Sequence, residues 1–288
     1  MINIMPADLD QIEKVIEQRK QKATAEYPAL WQKVIRDWAG NGAENAAWLT
    51  YAANYLFRTA GVHWAMDPFF MGSRIQGIAA PNFQPDLAKL ELVVLTHAHA
   101  DHLDLRLIED LSLSPVQWII PQHMLPIILE KTSIKRTQVI TPEAGVIIHY
   151  RGLAITPFES LHMHRLGGVP ETGYLVEFDG QRWLFPADVR DFSISKLPAF
   201  ENLDGVFAHL WMGKGHANDE RPPFLDDFCD FFTSFGARRI VITHLNEYGR
   251  AANELWDCRH HAMVKERIQS LERGLSVEFS EMGMKVLF

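Results

Sequence analysis

Four side chains that commonly bind metals fall close together near the end of the first third of the chain. The sequence reads Thr-His-Ala-His-Ala-Asp-His from Thr96, which places His97, His99, Asp101 and His102 within six residues. Imidazole and carboxylate ligands together suit zinc, manganese or iron, and no thiolate lies nearby to make a cysteine-type structural zinc site. The spacing therefore predicts a metal-binding loop.

The elements around this loop decide how its side chains are presented. An apolar run rich in β-branched residues, 92–96, comes just before it and predicts a buried strand. A helix is predicted to begin just after it, at Leu103 or Asp104. A short turn between a strand and a helix must spread these side chains rather than stack them, as a metal site requires.

Further candidate ligands follow three later predicted strands. One strand runs into a loop that carries both His162 and His164. A hairpin with a two-residue Asp-Gly turn, a strong hairpin signal, ends at Asp188. A last apolar strand ends at His244. By contrast, His209 lies within a predicted buried strand, and we interpret it as a core histidine with satisfied hydrogen bonds.

The order of these motifs resembles that of the metallo-β-lactamase superfamily, whose signature is His-x-His-x-Asp-His. The resemblance covers roughly residues 48–288 and implies an α/β fold, the four-layer αββα sandwich, with metals at one sheet edge. The strand end Asp67-Pro68 and the segment Thr-His-Leu-Asn-Glu from Thr243 look most like the L-ascorbate-6-phosphate lactonase-like branch. Asp67 would orient a ligand histidine instead of binding metal itself. Ala187 stands where the family usually has glycine.

The resemblance also implies a ligand set for two divalent metals in one cleft. The first metal takes the two leading histidines and a third from downstream, for which His162 is preferred to His164. The second takes the Asp-His pair and the last histidine, and one aspartate lies between the two metals. In chain order, the implied ligands are His97, His99, Asp101, His102, His162, Asp188 and His244.

A reaction follows from this family resemblance. A hydroxide bridged by two divalent metals, zinc first and manganese or iron as alternatives, would attack a small ester or lactone, possibly a phosphorylated one. Asp101 and Asp188 are the expected catalytic residues, because they would orient the hydroxide and set the metal spacing. A phosphodiesterase is the alternative function, and a non-catalytic, metal-stabilised interaction protein is a third.

Candidate contacts to the small-molecule substrate lie on loops that follow strands. His164 and Arg165 come after the first candidate ligand of their loop, and Lys214 and His216 lie in a glycine-punctuated segment. A guanidinium or ammonium group there would bind a phosphate or carboxylate group of the substrate.

Length and composition limit the kinds of partner, the cellular location and the domain organisation that we expect. The chain has 288 residues and a net charge of −8, which disfavours nucleic acid as a partner. No apolar run approaches the length of a membrane span, and no signal peptide is seen, so we expect a cytoplasmic protein with free thiols at Cys229 and Cys258. We predict an N-terminal extension over residues 1–45, made of one or two helices broken near Pro28, followed by a hydrolase domain over 46–288. The extension either packs on the flank of that domain or forms a cap or a contact in a possible homo-oligomer.

Overall fold

A computed structural model of the chain describes residues 6–162 and 168–288, so His164 and Arg165 lie outside the described residues. The described residues form two seven-stranded mixed sheets with helices on their outer faces. In chain order the elements are α1 (Pro6–Trp38), β1 (Ala46–Leu49), β2 (Tyr55–Thr59), β3 (Val62–Met66), α2 (Phe83–Asp86), β4 (Leu92–Val94), α3 (Leu105–Leu111), β5 (Gln117–Ile119), α4 (Leu125–Lys131), β6 (Val139–Ile140), β7 (Ile148–Tyr150), β8 (Leu153–Glu159), β9 (Thr172–Phe178), β10 (Gln181–Phe185), β11 (Gly205–His209), α5 (Leu225–Ser234), β12 (Arg239–Thr243), α6 (Cys258–Leu271), β13 (Ser276–Phe279) and β14 (Lys285–Leu287).

The two sheets have matching topologies. The first has the order β14-β1-β2-β3-β4-β5-β6 and the second the order β13-β12-β11-β10-β9-β8-β7. In the first sheet, β3 to β6 are parallel, and in the second, β10 to β13 are parallel. Parallel strands present their carboxyl ends at one edge of a sheet, so residues that follow them are brought close together.

Aromatic side chains fill the space between the sheets. Phe57 stacks on Trp64 with ring centroids 3.9 Å apart, and Phe185 stacks on Phe207 at 4.7 Å. The two pairs meet edge to face: the Phe57 and Phe185 rings are 86° from parallel, and their centroids lie 5.6 Å apart. Two further apolar clusters lie on the outer faces, one beneath α1, α3 and α4 and the other beneath α5 and α6. This arrangement confirms the predicted α/β sandwich with an N-terminal helix.

The N-terminal segment is one continuous helix, so the predicted break near Pro28 is wrong. Pro28 lies inside α1 on its exposed side. A proline within a helix costs about 3 kcal/mol. Buried aromatic residues next to it offset that cost: the Tyr27 hydroxyl donates to the Thr50 carbonyl at 2.9 Å, and the Trp31 indole donates to Asp86 at 2.7 Å.

Both cysteines are free thiols, as predicted. Cys229 is buried, and burial raises the pKa of its thiol to about 12, while Cys258 is exposed. Over residues 6–162 and 168–288, no helix has the length and apolar character needed to cross a membrane.

Candidate metal centre

The predicted ligands meet at the edge where the carboxyl ends of the parallel strands lie. The loop after β4 comes from the first sheet, whereas His162, Asp188 and His244 follow β8, β10 and β12 of the second. Backbone hydrogen bonds join the two sheets here: Thr172 N donates to Thr96 O at 3.1 Å, and His244 N donates to Ala52 O at 2.8 Å. The candidate centre therefore lies at the seam between the sheets.

One group of ligand atoms contains His97, His99, His162 and Asp188, all within 4.8 Å of one another. His162 Nε2 lies 3.1 Å from His99 Nδ1, and His97 Nε2 lies 4.0 Å from Asp188 Oδ2. These are the side chains that the family resemblance implied for the first metal, together with the implied bridging carboxylate.

A second group contains Asp101, His102 and His244. His244 Nε2 lies 3.1 Å from Asp101 Oδ2. Both His102 Nε2 and His244 Nδ1 lie 3.5 Å from Asp188 Oδ1. Asp188 therefore turns one carboxylate oxygen toward each group, which is the geometry that a bridging ligand needs.

His209 also belongs to this cluster, although the sequence interpretation placed it in the core. It is buried, but its Nδ1 lies 2.9 Å from Asp188 Oδ1, and its ring stacks on His102 at 5.7 Å between centroids. The position of β11 explains the difference, because this strand lies between β10 and β12, and the ends of all three meet at the same edge. A lone histidine at the end of an apolar strand was the only available signal.

Asp67 fixes the orientation of one candidate ligand. Its Oδ2 lies 2.8 Å from His102 Nδ1, which leaves Nε2 to face the cluster. Thr96 also holds the Asp67 carboxylate, with its backbone N–H 2.8 Å from Oδ1 and its hydroxyl 2.5 Å from Oδ2. The buried amide of Asn54 donates to the carbonyls of Asp67 and Asp101 and so ties the two loops together.

Glu171 acts in the same way on the first group, and sequence reasoning missed it. Its Oε1 lies 2.9 Å from His97 Nδ1 and accepts a hydrogen bond from the Asp188 backbone at 3.0 Å. The side chain is completely buried. Glu171 stands outside every motif used above, so its role becomes visible only when β9 is placed beside the loop that carries His97.

The backbone is strained where it approaches the cluster. Asp67, Ala187 and His244 all have positive φ angles, of 43°, 60° and 66°. Residues other than glycine rarely adopt this region, and such strain concentrates at functional sites. The angle at Ala187 gives a physical reason for the glycine that the metallo-β-lactamase pattern usually has before the bridging aspartate.

Most side chains of the cluster have pKa values that favour the unprotonated forms, which are the forms that bind metals. Burial lowers the pKa of His162 to about 4 and holds the pKa of His97 well below its ordinary value. Burial opposes ionisation of Asp101 and Asp188, but neighbouring histidines outweigh it, and the pKa of each carboxyl lies well below its usual range. Neutral imidazoles and ionised carboxylates are the forms that bind metals. Burial would also lower the pKa of His102, but the Asp188 and Asp67 carboxylates raise it.

Buried nitrogens without partners provide a test of whether metals fit here. Among the described residues, His97 Nε2, His102 Nε2 and His244 Nδ1 are buried and have no hydrogen-bond partner. Each of them faces an Asp188 oxygen at 3.5 to 4.0 Å. Buried polar atoms are normally paired, and coordination of a cation would satisfy all three nitrogens. The side chains present therefore fit two divalent metals of the zinc, manganese or iron type.

A cleft of about 370 Å³ opens beside His99 and Asp101. Lys214, one of the predicted substrate contacts, lines it. His216 is not among the lining residues, and its Nδ1 instead lies 2.8 Å from Asp219 in an exposed pair. The size of the cleft is that of a small-molecule site.

Comparison with known proteins identifies the family. Residues 65–245 match the model of the Beta-lactamase superfamily domain, so the chain belongs to that family. This match confirms the resemblance to the metallo-β-lactamase superfamily that the His-x-His-x-Asp-His loop indicated.

A relative with detectable sequence similarity is described as a metal-dependent hydrolase. The chain is 26% identical over 158 residues to a UPF0173 metal-dependent hydrolase from Koribacter versatilis (strain Ellin345). The match covers 52% of this chain and 64% of the relative, which is slightly less than two thirds of that protein.

Solved structures share the fold at low sequence identity. The metallo hydrolase Igni18 from the archaeon Ignicoccus hospitalis is 19% identical, with a TM-score of 0.61 over 85% of this chain and 99% of that one. The diiron β-hydroxylase CmlA from Streptomyces venezuelae is 16% identical, with a TM-score of 0.62 over 86% and 54%. An isothiocyanate hydrolase from Delia radicum gut bacteria is 16% identical, with a TM-score of 0.59 over 84% and 98%.

Proposed function

We propose that this protein is a metal-dependent hydrolase that binds two divalent metals and cleaves a small ester or lactone. The observation that carries the proposal is the position of Asp188, whose two carboxylate oxygens face two separate groups of histidines. The name of the relative from Koribacter versatilis supports hydrolysis as the type of reaction.

The proposed ligands are the seven residues named from the sequence, with His209 beside them. Metals bound there would supply the chemistry that the side chains lack, because metal coordination lowers the pKa of water from about 15.7 to about 7. Asp188 would set the spacing of the two groups, and Asp101, held by His244 and by Arg250 at 2.8 Å, would present a fixed oxygen to the cleft.

Three candidate functions need to be distinguished. A lactone, possibly phosphorylated, is our leading candidate because the strand-end motifs resemble those of the lactonase-like branch. A phosphodiester is the alternative, since the same pair of metals would activate water toward phosphorus. A non-catalytic, metal-stabilised interaction protein is the third, and the cleft beside the cluster counts against it.

The decisive experiment combines elemental analysis with a substrate panel. Protein purified without added metal should contain zinc, manganese or iron, and the panel would be phosphorylated sugar lactones, acyl-homoserine lactones, bis-p-nitrophenyl phosphate and a short RNA. We expect lactone turnover that Asp188→Ala abolishes and that Asp219→Ala, a change at an exposed carboxylate, leaves intact. Phosphodiester turnover would favour the alternative, and full activity in metal-free protein would refute the proposal.

The choice of third ligand for the first metal is tested separately. We expect His162→Ala to lose metal and His164→Ala to keep it, because His162 Nε2 already faces His99 Nδ1. Loss of metal in His164→Ala alone would show that the assignment is wrong.

A further inference from the structure

The cations that line the cleft fall into two classes. Arg74 and Arg250 both pair with the buried carboxylate of Glu247, at 3.1 Å and 2.9 Å, and Arg250 also contacts Asp101. Their positive charges are therefore neutralised by carboxylates of the protein itself. Arg190 and Lys214 line the same cleft, but among the described residues Arg190 has only a long contact of 3.9 Å with Asp188, and Lys214 has no ion pair.

Arg190 is the more unusual of the two. Its side chain is only 14% exposed, yet within the described part of the chain it donates no hydrogen bond, and its Nε is buried without a partner. The nearest carboxylate oxygen, Asp188 Oδ2, lies 3.9 Å away, and the guanidinium sits 5.7 Å from the Trp211 ring. Burying a charged donor without an acceptor is costly. A ligand that brings its own acceptor oxygens would remove that cost.

Lys214 provides a second positive charge at the same cleft. It is exposed and lies between Gly213 and Gly215, three residues after Trp211, the residue that Arg190 contacts. Both glycines have positive φ angles, of 122° and 80°, so this segment follows a path that residues with side chains rarely adopt. The two cations contrast with the net charge of −8 on the whole chain.

We propose that Arg190 and Lys214 form an anion-binding subsite that takes a carboxylate or phosphate group of the substrate. The inference rests on the proposed hydrolase function and adds a recognition element to it. Arg190 follows Asp188 by two residues, so the bound anion would lie next to the metal cluster and hold the substrate at a fixed distance from it. A guanidinium suits this role because its planar donors bind two oxygens of such a group at once.

The test compares two esters that differ only in the end group of the acyl chain, a methyl group in 4-nitrophenyl butyrate and a carboxylate in 4-nitrophenyl hydrogen succinate. Binding of succinate and of inorganic phosphate is measured by calorimetry. Protein as purified, Arg190→Gln, Lys214→Gln and the control Arg273→Gln would be measured side by side, with metal content checked in each. Arg273 is exposed and does not line the cleft. Comparing succinate with phosphate shows which anion the subsite accepts.

We expect Arg190→Gln to lower the ratio of kcat/KM for the charged over the neutral ester about 10- to 100-fold, as loss of hydrogen bonds to a charged group does. Lys214→Gln should lower it less, because this side chain is exposed, and Arg273→Gln should not change it. An unchanged ratio in Arg190→Gln with normal metal content would overturn the inference.

The binding measurements separate failure of the anion subsite from failure of the proposed hydrolase function. If neither ester is cleaved but Arg190→Gln weakens succinate or phosphate binding about 10-fold or more, the subsite stands and the hydrolase proposal needs revision. If neither anion binds more weakly to this variant than to the parent protein, the subsite is refuted whatever the activity.

Discussion

Asp67 shows how much of the candidate centre depends on side chains that hold ligands in place. It receives hydrogen bonds from the backbone and the hydroxyl of Thr96 and lies against His102 Nδ1. With that nitrogen engaged, His102 has only Nε2 to offer the cluster. Glu171 constrains His97 through the same kind of contact. A carboxylate behind a ligand histidine fixes its tautomer and its orientation.

Asp67→Asn should weaken metal binding about 10- to 100-fold, because the amide retains the shape but removes the charge that supports His102. Competition titration against a chelating dye would measure the change. Asp86→Asn is the matched control, since Asp86 also accepts a ring N–H hydrogen bond, from Trp31, but does so far from the cluster. Equal metal affinity in both variants would contradict the role assigned to Asp67.

At the scale of elements, α1 is tied to the segment that follows the last candidate ligand. Asp257 caps the N-terminus of α6, accepting from the Arg259 backbone at 3.0 Å, and also pairs with Arg19 of α1 at 2.8 Å. One residue before it, Trp256 O accepts a hydrogen bond from Asn246 N, two residues after His244. The helical extension therefore supports the loop on which His244 stands.

Asp257→Asn should destabilise the protein by about 1 kcal/mol at neutral pH, because the amide can still cap α6 but removes the charge that pairs with Arg19 and Arg259. Burial opposes ionisation of Asp257, but His260, Arg259 and Arg19 hold the pKa of its carboxyl well below the ordinary value. A lowered pKa in the folded state gives stability that is present above about pH 4 and is lost as the pH falls further. Denaturation by urea from pH 7 to pH 3 should show the difference in stability between the variant and the parent beginning to narrow below about pH 4.

At the scale of the whole molecule, the candidate ligands connect two halves that otherwise meet through apolar side chains. The loop after β4 belongs to one sheet, and His162, Asp188, His209 and His244 belong to the other. Metals bound between them would cross-link the sheets in the folded state only. Binding to the native state alone raises its stability by mass action.

Removal of metal by a chelator should lower the thermal midpoint by about 10 °C. The estimate takes about 4 kcal/mol of binding free energy, as for a ligand at a thousand times its Kd, and about 2 to 4 °C per kcal/mol for a chain of this size class. Differential scanning fluorimetry with and without chelator would measure it. Asp188→Ala should show a much smaller response, and an identical response would mean that the metal is bound elsewhere.

The sequence by itself determined the features that depend on neighbouring residues. The strand before His97 and the Asp179-Gly180 hairpin turn can be predicted because the interactions that form them are local, and both residues of that turn have the positive φ angles it requires. The candidate ligands could be named because most of them lie in one short window or at the ends of clearly apolar strands. The continuity of α1 through Pro28 could not be predicted, because contacts of Tyr27 and Trp31 with distant residues outweigh the local effect of proline.

Only the tertiary structure decided which polar residues join the cluster from outside those motifs. His209, Glu171 and Arg190 have no distinguishing sequence pattern, and each gains its position from strands that pair across long separations. A histidine after an apolar strand has the same local sequence whether it ends in the core or against Asp188. The parallel order of β10, β11 and β12 places it against Asp188, and strand order is set by the burial of whole sheet faces, which no short stretch of sequence encodes.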